Sequence, residues 1–350
     1  MDYQIKIFKN IHDAELKEAW IRLQYENDVF PQMYYEWIEP WVNLRLGKRT
    51  LKIVTVTLDN TIIAIAPFCI ENTYGLKVLR TLPIHFGDFY YIIGNIDFSI
   101  ISPIINYLKI NKSYHAINLQ NINTDSVFYS KLIESKVFKK KKTSDIVNTS
   151  CKNDSIENLL TSLSKNQRKS LKRRIKRINE LGGLRLDAIH NEKQYDDYEN
   201  EMKHIFYKRW AKEQTKETEQ VFEYRQKSFT NCLNNKKAQG FVLLLDEKPI
   251  AYCLGFYFSD EFRSWKLVYD DEYFSFSPGI IITAEILVYL NKKNIKYYNH
   301  GNGFYNYKLE WFESQVLSAN YQFLFSNTIL GKCYLAFELK LKDRLKKIWN

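Results

Sequence analysis

The sequence has no apolar run near the roughly 20 residues that a helix needs to span a bilayer. The longest candidate, Gly279 to Leu290, is short and is interrupted by Glu285. Met1 to Phe8 has neither an apolar core nor a cleavage site, so no secretory leader is expected and the cytoplasm is the expected compartment. No C-x-x-C pair occurs. The five cysteines, Cys69, Cys151, Cys232, Cys253 and Cys333, are odd in number and far apart. That pattern argues for reduced structural thiols, against a disulfide framework, and for no metal site.

What is present suits two domains. The 350 residues are long for one ordinary domain, and 45% of them are hydrophobic, enough to bury a sizeable core. Aromatics reach 15%, with 25 Tyr. Such abundance suits a cleft that grips rings or amides, or reflects general composition alone. Charge is concentrated: Lys131 to Glu180 holds 15 Lys/Arg against 5 Asp/Glu, a net of +10 within a chain of +11. One basic segment, rather than a basic surface, therefore needs explaining.

The organising feature is an internal repeat. Leu51 to Phe68 reads as a β-run, a turn at Asp59-Asn60 and a second β-run; Gly240 to Phe258 repeats this with its turn at Asp246-Glu247. Both carry D-x-x-x-I-A, at Asp59 to Ala64 and Asp246 to Ala251. An amphipathic helix precedes each hairpin, Asp13 to Leu23 with Trp20 and Tyr195 to Trp210. A helix and strand follow each, Asn106 to Leu119 and Val288 to His300. Recurrence in the same order at an offset of about 185 residues predicts duplication of one α/β unit. The expected lobes are 1–145 and 146–350, with the boundary in the Lys/Ser/Thr/Asn-rich stretch Lys139 to Asn153.

After the boundary, Ile156 to Leu181 reads as one helix, with Leu171, Ile175 and Ile178 on its apolar face and Gly182-Gly183 ending it. Its other side carries Lys165, Arg168, Lys169, Lys172, Arg173, Arg174, Lys176 and Arg177. Three readings stay open: phosphate binding, RNA binding, or a solvated face. The lack of an RNA-binding signature or interleaved aromatics speaks against nucleic acid.

The densest cluster of unusual residues runs from Tyr269 to Trp311. Asp270 and Tyr273 follow a strand. Ser277-Pro278-Gly279 opens a helix, whose amides and dipole would favour a phosphate or an oxyanion, or form a routine helix start. Gly301 and Gly303 would let the backbone approach a ligand closely, or mark an ordinary turn. Tyr307 and Lys308 lie just beyond.

The pattern L-S-K-x-x-R-x-x-x-x-R-x-x-K from Leu163 to Lys176, then Y-D-x-x-Y, S-P-G and G-x-G-x-x-x-Y-K-x-x-W, resembles the CelD-like acyltransferases of the GNAT superfamily, related to the Fem-type aminoacyltransferases. Trp20, Pro67 and G-D-F-Y-Y at Gly87 to Tyr91 resemble that family's first lobe. The resemblance implies an α+β fold of two tandem GNAT-like lobes, each a mixed, mainly antiparallel sheet flanked by helices, with donor and acceptor meeting between them. Two departures stand out. Asn299, His300, Gly301, Asn302 and Gly303 replace the family's Asp-Phe-Gly-Arg-Gly, and the Arg/Gln-x-x-Gly-x-Gly/Ala pyrophosphate signature is absent.

The resemblance implies an N-acyltransferase using acyl-coenzyme A as donor substrate, with no permanently bound cofactor and no transmembrane segment. The expected acceptor is a small amine, a nucleotide-linked amino sugar of polysaccharide or envelope biosynthesis. N-acylation needs an amine without its extra proton, a polarised carbonyl and a protonated leaving thiolate. Asp270 or His300 could act as base, with Asp88 as an alternative. Tyr269, Tyr273 or Tyr307 could protonate the sulfur. Expected donor contacts are Ser277, Pro278, Gly279, Gly301, Gly303, Lys308, Arg168 and Lys172. Expected acceptor contacts are His85, Tyr90, Tyr91, Tyr269 and Tyr273. Alternatives are a Fem-type aminoacyl-tRNA-dependent transferase, disfavoured because nothing between Leu181 and Phe241 reads as a long helical pair, and a non-enzymatic RNA-binding or membrane-surface adaptor.

Overall fold

The computed structural model describes residues 3–84, 87–210, 216–303, 305–309, 311 and 313–341. The chain forms two compact units, 1–145 with 318–350, and 146–317.

The first unit contains β1 (Gln4–Phe8), α1 (Ala14–Glu26), α2 (Tyr35–Arg45), β2 (Thr50–Leu58), β3 (Thr61–Thr73), β4 (Leu76–Thr81), β5 (Ile93–Gly94), α3 (Phe98–Ile110), β6 (Ala116–Asn123) and α4 (Val127–Glu134). Helix α1 begins where Asp13 accepts a hydrogen bond from the Leu16 amide, satisfying one of the free N–H groups of a helix start. It buries Leu16, Ala19, Trp20 and Leu23, one stripe at helical spacing. Strands β1 to β4 are antiparallel neighbours, and β6 lies parallel to β4. Helix α3 lies in the crossover between that parallel pair.

Strand β7 (Lys139–Ser150) leads into the second unit. There follow α5 (Ile156–Ser162), α6 (Lys165–Asn179), β8 (Leu184–Ile189), α7 (Glu192–Trp210), α8 (Lys216–Asn234), β9 (Ala238–Leu245), β10 (Lys248–Phe258), β11 (Glu261–Tyr269), α9 (Pro278–Lys292) and β12 (Tyr297–Asn299). The chain ends with β13 (Gln315–Phe325) and α10 (Ile329–Ala336). Strands β8 to β11 are antiparallel neighbours, β12 lies parallel to β11, and β7 closes this sheet antiparallel to β12. The first unit has the same pattern, with β13 closing antiparallel to β6.

The repeat extends to backbone detail. Asp59 and Asn60 have φ of 49° and 61°, and Asp246 and Glu247 have 45° and 64°. Two left-handed residues between paired strands match the right-handed twist of a hairpin. In each D-x-x-x-I-A motif the Ile is a bulge. Val56 faces Ala64 and Thr57 faces Ile62, leaving out Ile63; Leu243 faces Ala251 and Leu244 faces Pro249, leaving out Ile250.

The boundary stretch contains a strand, with Lys139 to Asp145 largely exposed and Ile146 to Ser150 buried. Three expectations need correction. Residues 318–350, expected in the second lobe, group with the first unit because β13 pairs with β6. The basic helix is two helices, broken at Leu163. Ser164 starts the second with a capping box in which Gln167 reciprocates. Between Leu181 and Phe241 there are two 19-residue helices, α7 and α8, which pack on each other and on strands β8 to β11.

The core of the second unit lies between one sheet face and α9. Phe241, Leu243, Ala251, Phe262 and Tyr298 from the strands meet Ile281, Ile282, Leu287 and Leu290 from the helix. Each such buried aliphatic side chain contributes about 1.5–3 kcal/mol. Leu171 and Ile178 seat α6 against the same cluster.

Candidate functional site

The parallel strands β11 and β12 part company early. Glu261, Phe262 and Arg263 pair with Tyr297, Tyr298 and Asn299, and β12 then stops. Strand β11 runs on to Tyr269, and beyond Arg263 the strand paired with it among the described residues is β10. Trp265, Lys266, Leu267 and Tyr269 are accordingly half-buried, although β11 is an interior strand. Beside this opening stands the start of α9. Ser277, left-handed at φ 57° and ψ 57°, ends one 3-10 turn and begins the helix without a side-chain cap. Pro278 lacks an N–H and the Ile280 and Ile281 amides donate to the Ser277 carbonyl, so the first turn presents the Gly279 amide and the positive end of its dipole. Tyr269 lies against Gly279, where an added Cβ would meet its ring at 3.3 Å.

The loop after β12 is held from within. Gly301, at φ +68°, approaches β11 so closely that a Cβ would lie 2.5 Å from the Ser264 carbonyl oxygen. Its close approach is therefore to the protein itself. Lys308, 3% exposed, donates to the carbonyls of His300, Gly301, Asn302 and Gly303 at 2.9, 3.2, 3.0 and 2.7 Å. An ammonium so engaged ties the loop together and is already surrounded by the protein's own acceptors.

His300 and Asp270 are not poised bases. The ring of His300 stands edge-on to Tyr298, and its Nε2 lies 2.7 Å from Thr149 Oγ1, itself 2.6 Å from Ser314 Oγ. Burial, reinforced by the Lys308 charge, pushes its pKa down to about 3, so the imidazole is neutral and weakly basic. Asp270 lies 3% exposed. Burial pushes its carboxyl upward, but the hydrogen bonds from Lys208 at 2.7 Å and from the Glu272 amide at 3.0 Å outweigh it and leave the pKa lowered. Nor do the two converge. Gly301 is level with Ser264 on β11, and Asp270 lies six residues further, roughly 20 Å along the strand at 3.3 Å per residue. Asp270 instead belongs to a strap, the 3-10 turn Asp271–Phe276, clamped by α7. Lys208 bridges Asp270 and Glu272, while Arg209 pairs with Asp271 and covers the Tyr269 ring. Tyr273 sits in this turn, with Lys248 5.6 Å from its ring centroid.

Tyr307 is 43% exposed and stacks on Tyr305. Burial, then the neighbouring Tyr305, Cys253 and Tyr269, raise its pKa, so the phenol keeps its proton at neutral pH. It lines a pocket with Trp311, with Ile280 of α9, and with Leu163, Gln167, Ser170, Leu171 and Arg174 from α6 and the residue before its cap. Of the expected donor contacts on α6, Lys172 is exposed and Arg168 donates to the Thr161 and Leu163 carbonyls, capping α5. Sequence reasoning passed over Gln167, Ser170 and Arg174 as pocket residues, although their spacing of three and four places them on one helix face. It also passed over a buried cluster in which Asn148, Asn299 and Arg263 all donate to the Glu261 carboxylate.

The remaining candidates lie in the first unit. His85 is outside the described residues. Tyr90 is a core residue, 1% exposed and stacked on Phe68, and burial raises its pKa well above the usual phenol value. It is corrected from an acceptor contact to a packing residue. Asp88 is half-buried, with its amide donating to Gln32 and its carbonyl accepting from Asn320. Tyr91 is half-buried, its ring 6.0 Å from Phe30. Among the described residues no group of three His, Cys, Asp or Glu could hold a metal ion, and no helix is long and apolar enough to cross a membrane.

Residues 165–309 match the model of the acetyltransferase (GNAT) domain family. No curated protein matches the sequence. Three solved structures resemble the chain in fold at low identity. FemX is 10% identical, covering 97% of this chain and 100% of its own, with a TM-score of 0.58. L-PGS from Bacillus licheniformis is 12% identical, covering 94% and 96%, also at 0.58. A tandem GNAT protein from the clavulanic acid biosynthesis pathway is 9% identical, covering 93% and 98%, at 0.50. The fold is α+β and GNAT-like, with a tandem GNAT protein among its structural neighbours.

Proposed function

We infer that this protein is an N-acyltransferase of CelD-like kind. It moves an acyl group from a coenzyme A thioester to the amino group of a small acceptor, a nucleotide-linked amino sugar. The observation that supports this reading is the parting of β11 from β12 beside the uncapped start of α9. An extended thioester arm fits along β11 past the end of β12, and the Gly279 amide with the positive end of the α9 dipole suits its phosphates.

In this reading the acceptor binds as a neutral amine, having given its proton to solvent. Its nitrogen attacks the thioester carbon, the C–N bond forms, the nitrogen of the adduct releases its extra proton to solvent, the C–S bond breaks, and the thiolate takes a proton from the Tyr307 phenol. Solvent then reprotonates Tyr307. The strap held by Lys208 and Arg209 positions Ser277 to Gly279, and Lys308 shapes the loop that carries Tyr307.

A Fem-type aminoacyl donor is the second reading. It is favoured by the fold likeness to FemX and by the exposed cations Lys165, Lys169, Lys172, Arg173, Lys176 and Arg177 on α6. One assay separates the two: release of free thiol from acetyl-coenzyme A against a panel of nucleotide amino sugars, run beside charged tRNA with the same acceptors. Acceptor-dependent thiol release supports the first reading. Transfer from charged tRNA without thiol release would replace it with the second.

A further inference from the structure

We propose that the pocket between α6 and α9 is a phosphoryl-binding site that reads a charged group on one of the substrates. Its polar lining is made of groups able to donate. Gln167 turns its Oε1 to the Ser164 amide and hydroxyl, at 3.1 and 2.6 Å, which leaves its NH2 for the pocket. The Ser170 hydroxyl and the Arg174 guanidinium have no hydrogen-bond or ion-pair partner among the described residues. The indole N–H of Trp311, a residue only 6% exposed, has none either. Among the described residues no Asp or Glu lines the pocket.

A half-buried guanidinium without a carboxylate beside other unpaired donors carries a desolvation cost that an incoming polyoxyanion would offset. Phosphate offers several acceptor oxygens and matches the guanidinium fork. Leu163, Leu171 and Ile280 supply an apolar floor, which limits the water competing for those donors. The exposed cations on the other side of α6 lack any such enclosure, so the site is Arg174 rather than the basic face as a whole. The inference rests on the transferase reading for the identity of the substrates, and the phosphoryl group comes from the donor's coenzyme A or from a nucleotide-linked acceptor.

Calorimetric titration of the full chain tests it without using activity. The probes are inorganic pyrophosphate, coenzyme A and uridine diphosphate, against wild type, Arg174→Gln, Trp311→Phe and the exposed control Lys172→Gln. Wild type is expected to bind pyrophosphate. Arg174→Gln should weaken binding by about 10-fold or more, as for loss of a charge-assisted hydrogen bond, and flatten its salt dependence. Trp311→Phe keeps the ring and should weaken it by a few-fold; Lys172→Gln should change it little. Coenzyme A weakened in parallel assigns the site to the donor, and uridine diphosphate weakened in parallel assigns it to the acceptor. If Arg174→Gln is poorly folded, Ser170→Val with Trp311→Phe carries the same test. Pyrophosphate binding unchanged in these variants, or absent in wild type, overturns the proposal. Thiol release can persist in that case, so failure here is distinct from failure of the transferase reading.

Discussion

The Lys308 ammonium lies 2.7 Å from the carbonyl oxygen of Gly303 and within 3.2 Å of the three carbonyls before it. A lysine that the sequence offers as a ligand contact is a fastener for the loop that follows β12. Lys308→Met is therefore expected to lower unfolding stability by about 1.5–3 kcal/mol, the range for a hydrogen-bonded charged group. Hydrogen exchange should speed up at residues 300–303. Donor affinity should show the same salt dependence as wild type. A selective, salt-sensitive loss of donor affinity in a fully stable variant would restore the ligand role.

The strap makes an acid-dependent case. The Asp270 carboxyl is held below its usual range, so the pair with Lys208 adds stability that is complete above the ordinary carboxylate pKa. That stability fades as pH falls through the lowered value. Asp270→Asn should destabilise the protein at pH 7 and progressively less as the pH falls below the ordinary carboxylate range, measured by urea unfolding across that range. Turnover should fall through disorder at Ser277 to Gly279, without the shifted pH profile of a lost base. A base-like shift, with pH-independent stability loss, would return Asp270 to catalysis.

His300 has the opposite charge logic and the same sign. The unfolded imidazole takes up a proton near pH 6.5, whereas the folded one stays neutral until about pH 3. The unfolded chain then binds more protons, so stability is full above pH 6.5 and falls with acidification through that window. His300→Gln should lessen the loss between pH 7 and pH 4 in unfolding experiments. An unchanged acid profile would show that His300 titrates normally.

Tyr307→Phe removes the phenol while keeping the stacked ring. Turnover should drop by about 100-fold if the leaving sulfur takes its proton there, with little change in the Michaelis constant. The loss should shrink for a donor whose thiol is more acidic. Equal loss for both donors, or a change confined to the Michaelis constant, would argue for a binding role.

The sequence announces local features well and distant ones poorly. Asp59-Asn60 and Asp246-Glu247 mark their hairpins because few residues tolerate two left-handed positions, and the Ile of each motif is where the extra residue sits. The capping box from Ser164 to Gln167 marks a helix start, yet the apolar spacing of Leu171, Ile175 and Ile178 suits one helix from Ile156 to Leu181 equally well. Strand β7 was hidden because half of it faces solvent. Pairing of β13 with β6 depends on contacts some 200 residues apart, which no local pattern encodes. The states of Asp270, His300 and Lys308 depend on Lys208, Thr149 and four carbonyls brought together only by folding, so composition and motif could name these residues but not their roles.

The central claim is that a coenzyme A thioester lies along β11 and against the start of α9. Hydrogen–deuterium exchange of the full chain, with and without coenzyme A, tests it directly. The account expects saturable slowing at residues 264–269 and 277–281, with little change in β2 and β3. No binding, or protection confined to the first unit with 264–281 unchanged, would contradict it.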